Sequence, residues 1–416
     1  MTASTFSTVF AAFVIAALAW RTWLALRQMR HVALHRDEVP ADFAPYIPLD
    51  AHRRAADYTL DKQRVGLVET LAIDGALLFA LTLGGGIAAI DALSEGLLGV
   101  GMARELGTVF GVLLATTVIA LPFDVWRTFA VEARHGFNRT TPRLFVLDIL
   151  KGALLSLALG APLLLAVFWL VEKAGSLWWI YTWLLWIAFT LALVMAFPRW
   201  IAPLFNRFAP LEEGDLRRRI EKLIERCGFH AQGLFVMDGS RRSSHGNAYF
   251  TGFGTNKRIV FFDTLIERLT PSEIEAVLAH ELGHFARGHI PRLLAVRFAL
   301  ALLMLGILGW LYAEPAFDQA VGMTEPHIGA ALAGLALIVP VFTFPFQPLA
   351  SLIARRQEFE ADAFAAQHAS AADLVSALAK LYRDNASTLT PDPLHSLVYD
   401  SHPPAALRID HLRRAS

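Results

Sequence analysis

Hydrophobic positions along this chain gather into seven long runs, near residues 5–26, 67–93, 105–129, 149–171, 177–197, 292–313 and 328–353. Each is close to the roughly 20 residues an α-helix needs to cross the hydrocarbon of a bilayer. The pattern therefore predicts seven transmembrane helices. Arg21 interrupts the first run and no small-residue cleavage site follows it, which favours an anchor over a cleaved signal peptide. Between the fifth and sixth runs the pattern changes. Leu234-Phe235-Val236-Met237 and Arg258-Ile259-Val260-Phe261-Phe262 read as short strands flanking Asn247-Ala248-Tyr249-Phe250-Thr251, and a helix starts near Thr270. The expected fold class is an all-α membrane protein with a small α+β domain beside the membrane. Its parts are a five-helix membrane region over 1–197, the α+β domain over 198–291, two more membrane helices over 292–353 and an extramembrane tail over 354–416.

Composition sets the same environment. With 55% hydrophobic residues, ten Trp and a mean hydropathy of +0.46, a soluble chain of this length would lack the polar surface to cover itself. The bilayer is the expected partner. Lys and Arg number 37 and so do Asp and Glu, so no basic excess points to nucleic acid. Charge also orients the helices, because cytoplasmic loops collect Lys and Arg. The loop after the first run holds Arg27, Arg30, Arg36, Arg53, Arg54, Lys62 and Arg64, and the loop after the third holds Arg134, Arg139 and Arg143. The opposite loops offer only Arg104, Lys173 and the acidic Glu314, Asp318 and Glu325. The N-terminus is expected outside, with 198–291 and 354–416 together on the cytoplasmic side. Glu69, Asp74, Glu105, Asp124, Lys151 and Arg297 fall inside or at the edges of the runs, where charge facing lipid is costly. They either bond one another between helices or line a hydrated interior. The lone Cys227 excludes an intrachain disulfide and reads as a packed thiol.

The chemistry starts at Thr270-Pro271-Ser272-Glu273. Thr270 and Glu273 form a capping box, and Pro271 takes the first helical position, where a missing N–H costs nothing. On that helix His280 and His284 lie four residues apart, so both imidazoles leave one face and can converge on a metal. Glu281 stands beside them. Zinc lowers the pKa of a bound water to about 7, and an adjacent carboxylate can take that water's proton as it attacks an amide. A chance match is the competing reading of so short a pattern. A third ligand is needed to decide, and Glu358 is the candidate, with Asp362 one turn on to fix the tautomer of a ligating histidine and Glu360 pointing elsewhere. A solvated charged helix face is the alternative for that pair. Asn247, Ala248 and Tyr249 are candidates for a sheet edge that binds substrate backbone as an added strand, against an ordinary hairpin packing the helix. Near the end, His402 and Arg408 could donate to a developing oxyanion. Beside two prolines, His402 alone reads as a turn residue.

Together these residues resemble the multi-spanning type I CaaX prenyl proteases, zinc endopeptidases of the gluzincin type. The likeness covers nearly the whole chain. Besides His280-Glu281-Leu282-Gly283-His284 and Glu358-Phe359-Glu360-Ala361-Asp362, it includes the segment from Glu132 through His135, Asn138 and Arg139 to Thr141, with Asp148 and Lys151. It also includes Pro203-Leu204-Phe205-Asn206, the run from Met237-Asp238-Gly239-Ser240 to Asn247-Ala248-Tyr249-Phe250, and Ser401-His402-Pro403-Pro404 with Arg408. The resemblance implies seven tilted helices around a water-filled chamber, with the zinc site at its cytoplasmic end. It implies one Zn2+ per chain on His280, His284 and Glu358, and Glu281 as general base. Asn247, His402 and Arg408 would line the site to hold substrate or oxyanion, and the strand at Ala248 would pair with the peptide. The implied substrate is a prenylated C-terminal Cys-a-a-X peptide, cut after the modified cysteine. The Ala-, Leu- and Arg-rich composition points to a bacterial inner membrane, where a protease that clears damaged membrane proteins is the alternative. A non-catalytic scaffold or transporter would not need the intact set of Glu281, three ligands and Asp362.

Overall fold

The computed structural model describes residues 3–229, 233–251, 258–312 and 327–415. The acidic loop of Glu314, Asp318 and Glu325 lies outside them. Among the described residues, six helices are long and apolar enough to cross a membrane: Ser4–Leu34, Met102–Glu132, Pro142–Lys173, Gly175–Phe205, His289–Leu311 and Ile328–His368. A seventh crossing is a broken pair, Leu49–Leu81 and Gly86–Leu98, bent by 61°. The apolar run at 67–93, expected as one crossing, is thus broken into two helices. Gly84, Gly85 and Gly86 follow one another at the break, and Gly85 adopts a φ of 75° that other residues resist.

The spans succeed one another around a ring. Ser4–Leu34 packs on Leu49–Leu81, and that helix on Met102–Glu132; contacts continue through Pro142–Lys173, Gly175–Phe205 and His289–Leu311 to Ile328–His368, which returns to the first helix. At one end the ring is filled. There Gly86–Leu98 packs against Met102–Trp126, Asp91 accepts from Arg104 Nε at 3.2 Å and from Thr108 at 2.7 Å, and Glu105 accepts from the Gly329 N–H at 2.6 Å.

Most of the expected intramembrane charges find partners. Asp74 pairs with Arg21, Glu69 and Asp124 with Arg127, Glu105 with His327, and Lys151 donates to the Leu204 carbonyl at 2.7 Å. Arg297 is exposed.

The extramembrane part is built around a four-stranded sheet in the order β1-β2-β4-β3, with β1 Phe208–Pro210, β2 Gly233–Met237, β3 Ala248–Thr251 and β4 Arg258–Phe262. β2 and β4 run parallel; β1 and β3 are antiparallel edges. Strand β1 was not expected. At three residues it is too short to show alternation, and its Pro210 is tolerated because an edge strand need not donate. Ile259 and Phe261 of β4 and Ile274, Leu278 and Leu282 of helix Pro271–Ala286 enter one buried core with Ile220, Leu374 and Ile409 from three further helices. The last span continues after a turn at Phe344–Phe346 as helix Gln347–His368, straight through the 353/354 boundary where hydropathy falls. Its distal end leaves the membrane and packs against helix Pro271–Ala286.

Candidate metal centre

Helix Pro271–Ala286 begins with the expected capping box: Thr270 N donates to Glu273 Oε2 at 2.8 Å and Glu273 N donates back to Thr270 Oγ1 at 3.3 Å. Glu273 also accepts from Ser376 at 2.7 Å and Lys380 at 2.8 Å, which ties the helix start to helix Ala371–Asp384. Burial opposes the Glu273 charge, but Lys380, Ser376 and the Thr270 N–H outweigh it and hold its carboxyl below the usual range. Two turns on, His280 and His284 face helix Gln347–His368, and the close approach is permitted by Gly283, whose Cα faces the backbone of Ala361.

Three side-chain groups converge. His280 Nε2 lies 3.3 Å from His284 Nε2 and 3.4 Å from Glu358 Oε2, and His284 Nε2 lies 3.3 Å from Glu358 Oε1. A tetrahedral ion with bonds of about 2.0–2.1 Å sets its ligand atoms ~3.3 Å apart, so the triangle has the dimensions of a metal site. Further observations agree. Glu358 Oε2 is a buried acceptor with no well-directed hydrogen bond, although His402 Nδ1 is 2.7 Å and Arg408 Nη1 3.3 Å away. Burial opposes a charge on His280, yet Asp362 and Glu358 outweigh it and push the imidazole up to about 9, marking a place where a metal cation can replace a proton. Glu281, Glu358 and Asp362 gather three carboxylates around the two imidazoles and the Arg408 guanidinium, an anionic setting that suits a divalent cation.

Around the triangle, Asp362 is fully buried and accepts from His280 Nδ1 at 2.9 Å, which leaves Nε2 free to bind metal. Arg408, itself buried, grips Asp362 through Nη2 at 2.6 Å and Nε at 2.9 Å. Its Nη1 faces Glu358 Oε2 at 3.3 Å, so the guanidinium stands against both carboxylates beside the triangle. Burial pushes the Glu281 carboxyl above its usual range, nearer the value useful to a general base. His402 is the most exposed member, at 63%. Asn247 is exposed just before β3, its Oδ1 accepting from the Ala248 N–H at 2.8 Å. β3 pairs only with β4 among the described residues and runs beside helix Pro271–Ala286, with Phe250 and Phe285 ring centroids 4.8 Å apart. Tyr249 turns its hydroxyl to Met237 Sδ at 3.9 Å, so at this position the backbone, rather than the phenol, faces the open edge.

Two residues were missed. His289 Nδ1 lies 2.9 Å from His284 Nδ1, and its Nε2 lies 3.0 Å from Glu360 Oε2. Nothing in helical periodicity pairs His284 with His289; the contact exists because Gly288, at a φ of 67°, ends one helix and turns the chain into the next.

A helical membrane barrel bearing a buried His/His/Glu triangle with a second glutamate beside it defines a membrane-embedded metallopeptidase. The chain matches the family models for "CAAX prenyl protease N-terminal, five membrane helices" over residues 28–207 and "Peptidase family M48" over residues 210–416. It is 37% identical to the CAAX prenyl protease 1 homolog of Arabidopsis thaliana, over 95% of both chains, and 31% identical to that of Homo sapiens, over 95% of this chain and 92% of the human one. The crystal structure of S. mikatae Ste24p superposes with a TM-score of 0.89 at 29% identity, covering 98% of both chains. The protein belongs to peptidase family M48, with the CAAX prenyl protease N-terminal domain.

Proposed function

We propose that this protein is a zinc endopeptidase that removes the C-terminal tripeptide from prenylated CaaX peptides at the cytoplasmic face of its membrane; the relatives it matches are named CAAX prenyl proteases. The observation that carries the reading is the triangle of His280, His284 and Glu358 with Glu281 alongside. Zinc held there supplies Lewis acidity and a water acidic enough to attack an amide at neutral pH. The chain's own groups do the rest. Backbone of β3 at Ala248 and Tyr249 aligns the peptide as an added strand, and Asn247 bonds the strand's continuation. Glu281 takes the proton of the attacking water and passes it to the leaving amine. His402, exposed over the carboxylate side of the triangle, donates to the oxyanion. Asp362 and Arg408 hold His280 and Glu358 in place.

A chamber is supported by the packing of the spans. In the ring, five of the six long spans bury only 6% to 22% of their apolar windows and the last buries 44%, which leaves room for open volume between them. The packing of Gly86–Leu98 fills the ring at one end, which would leave a substrate to enter from the side of the metal.

The test is cleavage by the purified, zinc-loaded protein of one CaaX peptide in farnesylated and unmodified forms, with Glu281→Gln as blank. Preference for the farnesylated peptide supports the proposal. Equal cutting of both would replace it with a protease of wider taste for membrane proteins.

A further inference from the structure

His280 and His284 are supported in different ways, and the second support has no counterpart in the reaction described above. We propose that His289 and Glu360 are positioning residues, a hydrogen-bonded relay that fixes the tautomer and ring orientation of His284. The inference rests on the metal-centre reading and deepens it.

Proton bookkeeping makes the relay directional. With His284 Nε2 turned into the triangle, 3.3 Å from both His280 Nε2 and Glu358 Oε1, the proton of the neutral ring must sit on Nδ1. That nitrogen is 2.9 Å from His289 Nδ1. Two ring nitrogens can share only one proton in such a contact, so His284 donates and His289 accepts. The proton of His289 then belongs on Nε2, which is 3.0 Å from Glu360 Oε2. A carboxylate can only accept, so the sequence of donors ends there with every tautomer set by its neighbour. Reversing any link would put a proton on the nitrogen that faces the metal. The placement is rigid as well. His289 is 3% exposed, its ring centroid 5.1 Å from that of His284, and it occupies the first position of helix His289–Leu311 after the Gly288 turn. Glu360 comes from the ligand helix itself, two residues beyond Glu358 and on another face, with its side chain 49% exposed. One helix thus binds the metal directly through Glu358 and braces the opposite histidine through Glu360.

The experiment uses the full-length protein, with zinc affinity measured by chelator competition and kcat and KM measured at saturating zinc on a CaaX peptide. His289→Phe is expected to weaken zinc binding by about 10–100-fold and to lower kcat with KM unchanged. His289→Gln should recover most of both, because an amide can accept from His284 and donate to Glu360 as the imidazole does. Glu360→Ala, at an exposed position that does not threaten folding, should weaken zinc in the same direction by a smaller factor. Unchanged zinc affinity in Glu360→Ala together with no recovery in His289→Gln overturns the relay, even where His289→Phe fails to fold. A wild-type protein that binds no stoichiometric zinc overturns the metal-centre reading and the relay together, whereas zinc-binding wild type with indifferent variants overturns the relay alone.

Discussion

Gly283 sits between His280 and His284, on the face where their helix meets helix Gln347–His368. A Cβ added there would lie 2.9 Å from Ala361 Cα, 3.1 Å from the Ala361 carbonyl oxygen and 3.1 Å from Phe364 Cβ. Carbon atoms are at ease near about 3.5–4.0 Å, so Gly283→Ala requires the helices to part by ~0.5 Å. The nearest atoms are backbone, and no rotamer change can absorb the clash. Ala361 lies between Glu358 and Asp362, so the displacement is delivered to both carboxylates, one at the candidate metal triangle and the other bonded to His280 Nδ1. Overpacking of this kind costs about 1–3 kcal/mol, against about 1 kcal/mol returned by Ala over Gly in a helix interior. A net loss of up to about 2 kcal/mol in stability is expected. Zinc should suffer more than the fold, because metal–ligand distances tolerate shifts of only ~0.2 Å; a loss of at least about tenfold, some 1.4 kcal/mol, follows. The assay pairs thermal unfolding in detergent with chelator competition for zinc. Gly66→Ala is the control, since a Cβ at that helical position meets nothing within 4 Å and should stabilise by about 0.4–1 kcal/mol. If Gly283→Ala unfolds at the wild-type temperature and holds zinc as tightly, the close approach of the two helices is not what requires glycine there.

Other perturbations bear on separate parts of the same argument. Glu281→Gln should retain stoichiometric zinc by metal analysis yet fail to cleave, while Glu358→Ala should lose the metal. Asp362→Asn, which weakens the acceptor for His280 Nδ1 and leaves the buried Arg408 short of a counter-charge, should weaken zinc by about 10–100-fold and lower the unfolding temperature. Stripping zinc with a chelator should lower the unfolding temperature of the wild type, with the deficit vanishing in Glu358→Ala, which has no metal to lose. The depressed Glu273 carboxyl contributes stability that is present above its ordinary value near 4.5 and is lost as pH falls through the lower folded value. Glu273→Gln should therefore be less stable than wild type at neutral pH, with the gap closing below about pH 4.5 in pH-dependent unfolding curves.

What could be read from the chain divides by the distance over which each feature is decided. The capping box, the His280 and His284 pair and the Glu358 and Asp362 pair are all set within one or two helical turns, so local spacing exposes them. Bringing the two helices together is a tertiary event, but the need of a catalytic zinc for a third ligand restricts the choice enough for Glu358 to be named. Arg408 shows where that reasoning weakens. Its residue type marks it as a partner for anions, but whether it serves a substrate or an internal carboxylate depends on the depth at which its helix docks, and docking places it on the buried Asp362. His289 was invisible for a sharper reason: five residues is the wrong interval for a helix face, and the contact is made by the Gly288 turn. The membrane part repeats the contrast. Hydropathy locates the apolar runs because the bilayer imposes them, but it averages across Gly84, Gly85 and Gly86, where backbone conformation breaks the helix, and it stops at residue 353, where the lipid-facing surface ends and the helix does not. That continuity matters for function, since helix Gln347–His368 begins within the apolar run and carries Glu358 about three turns later, which ties the candidate metal site to the last span.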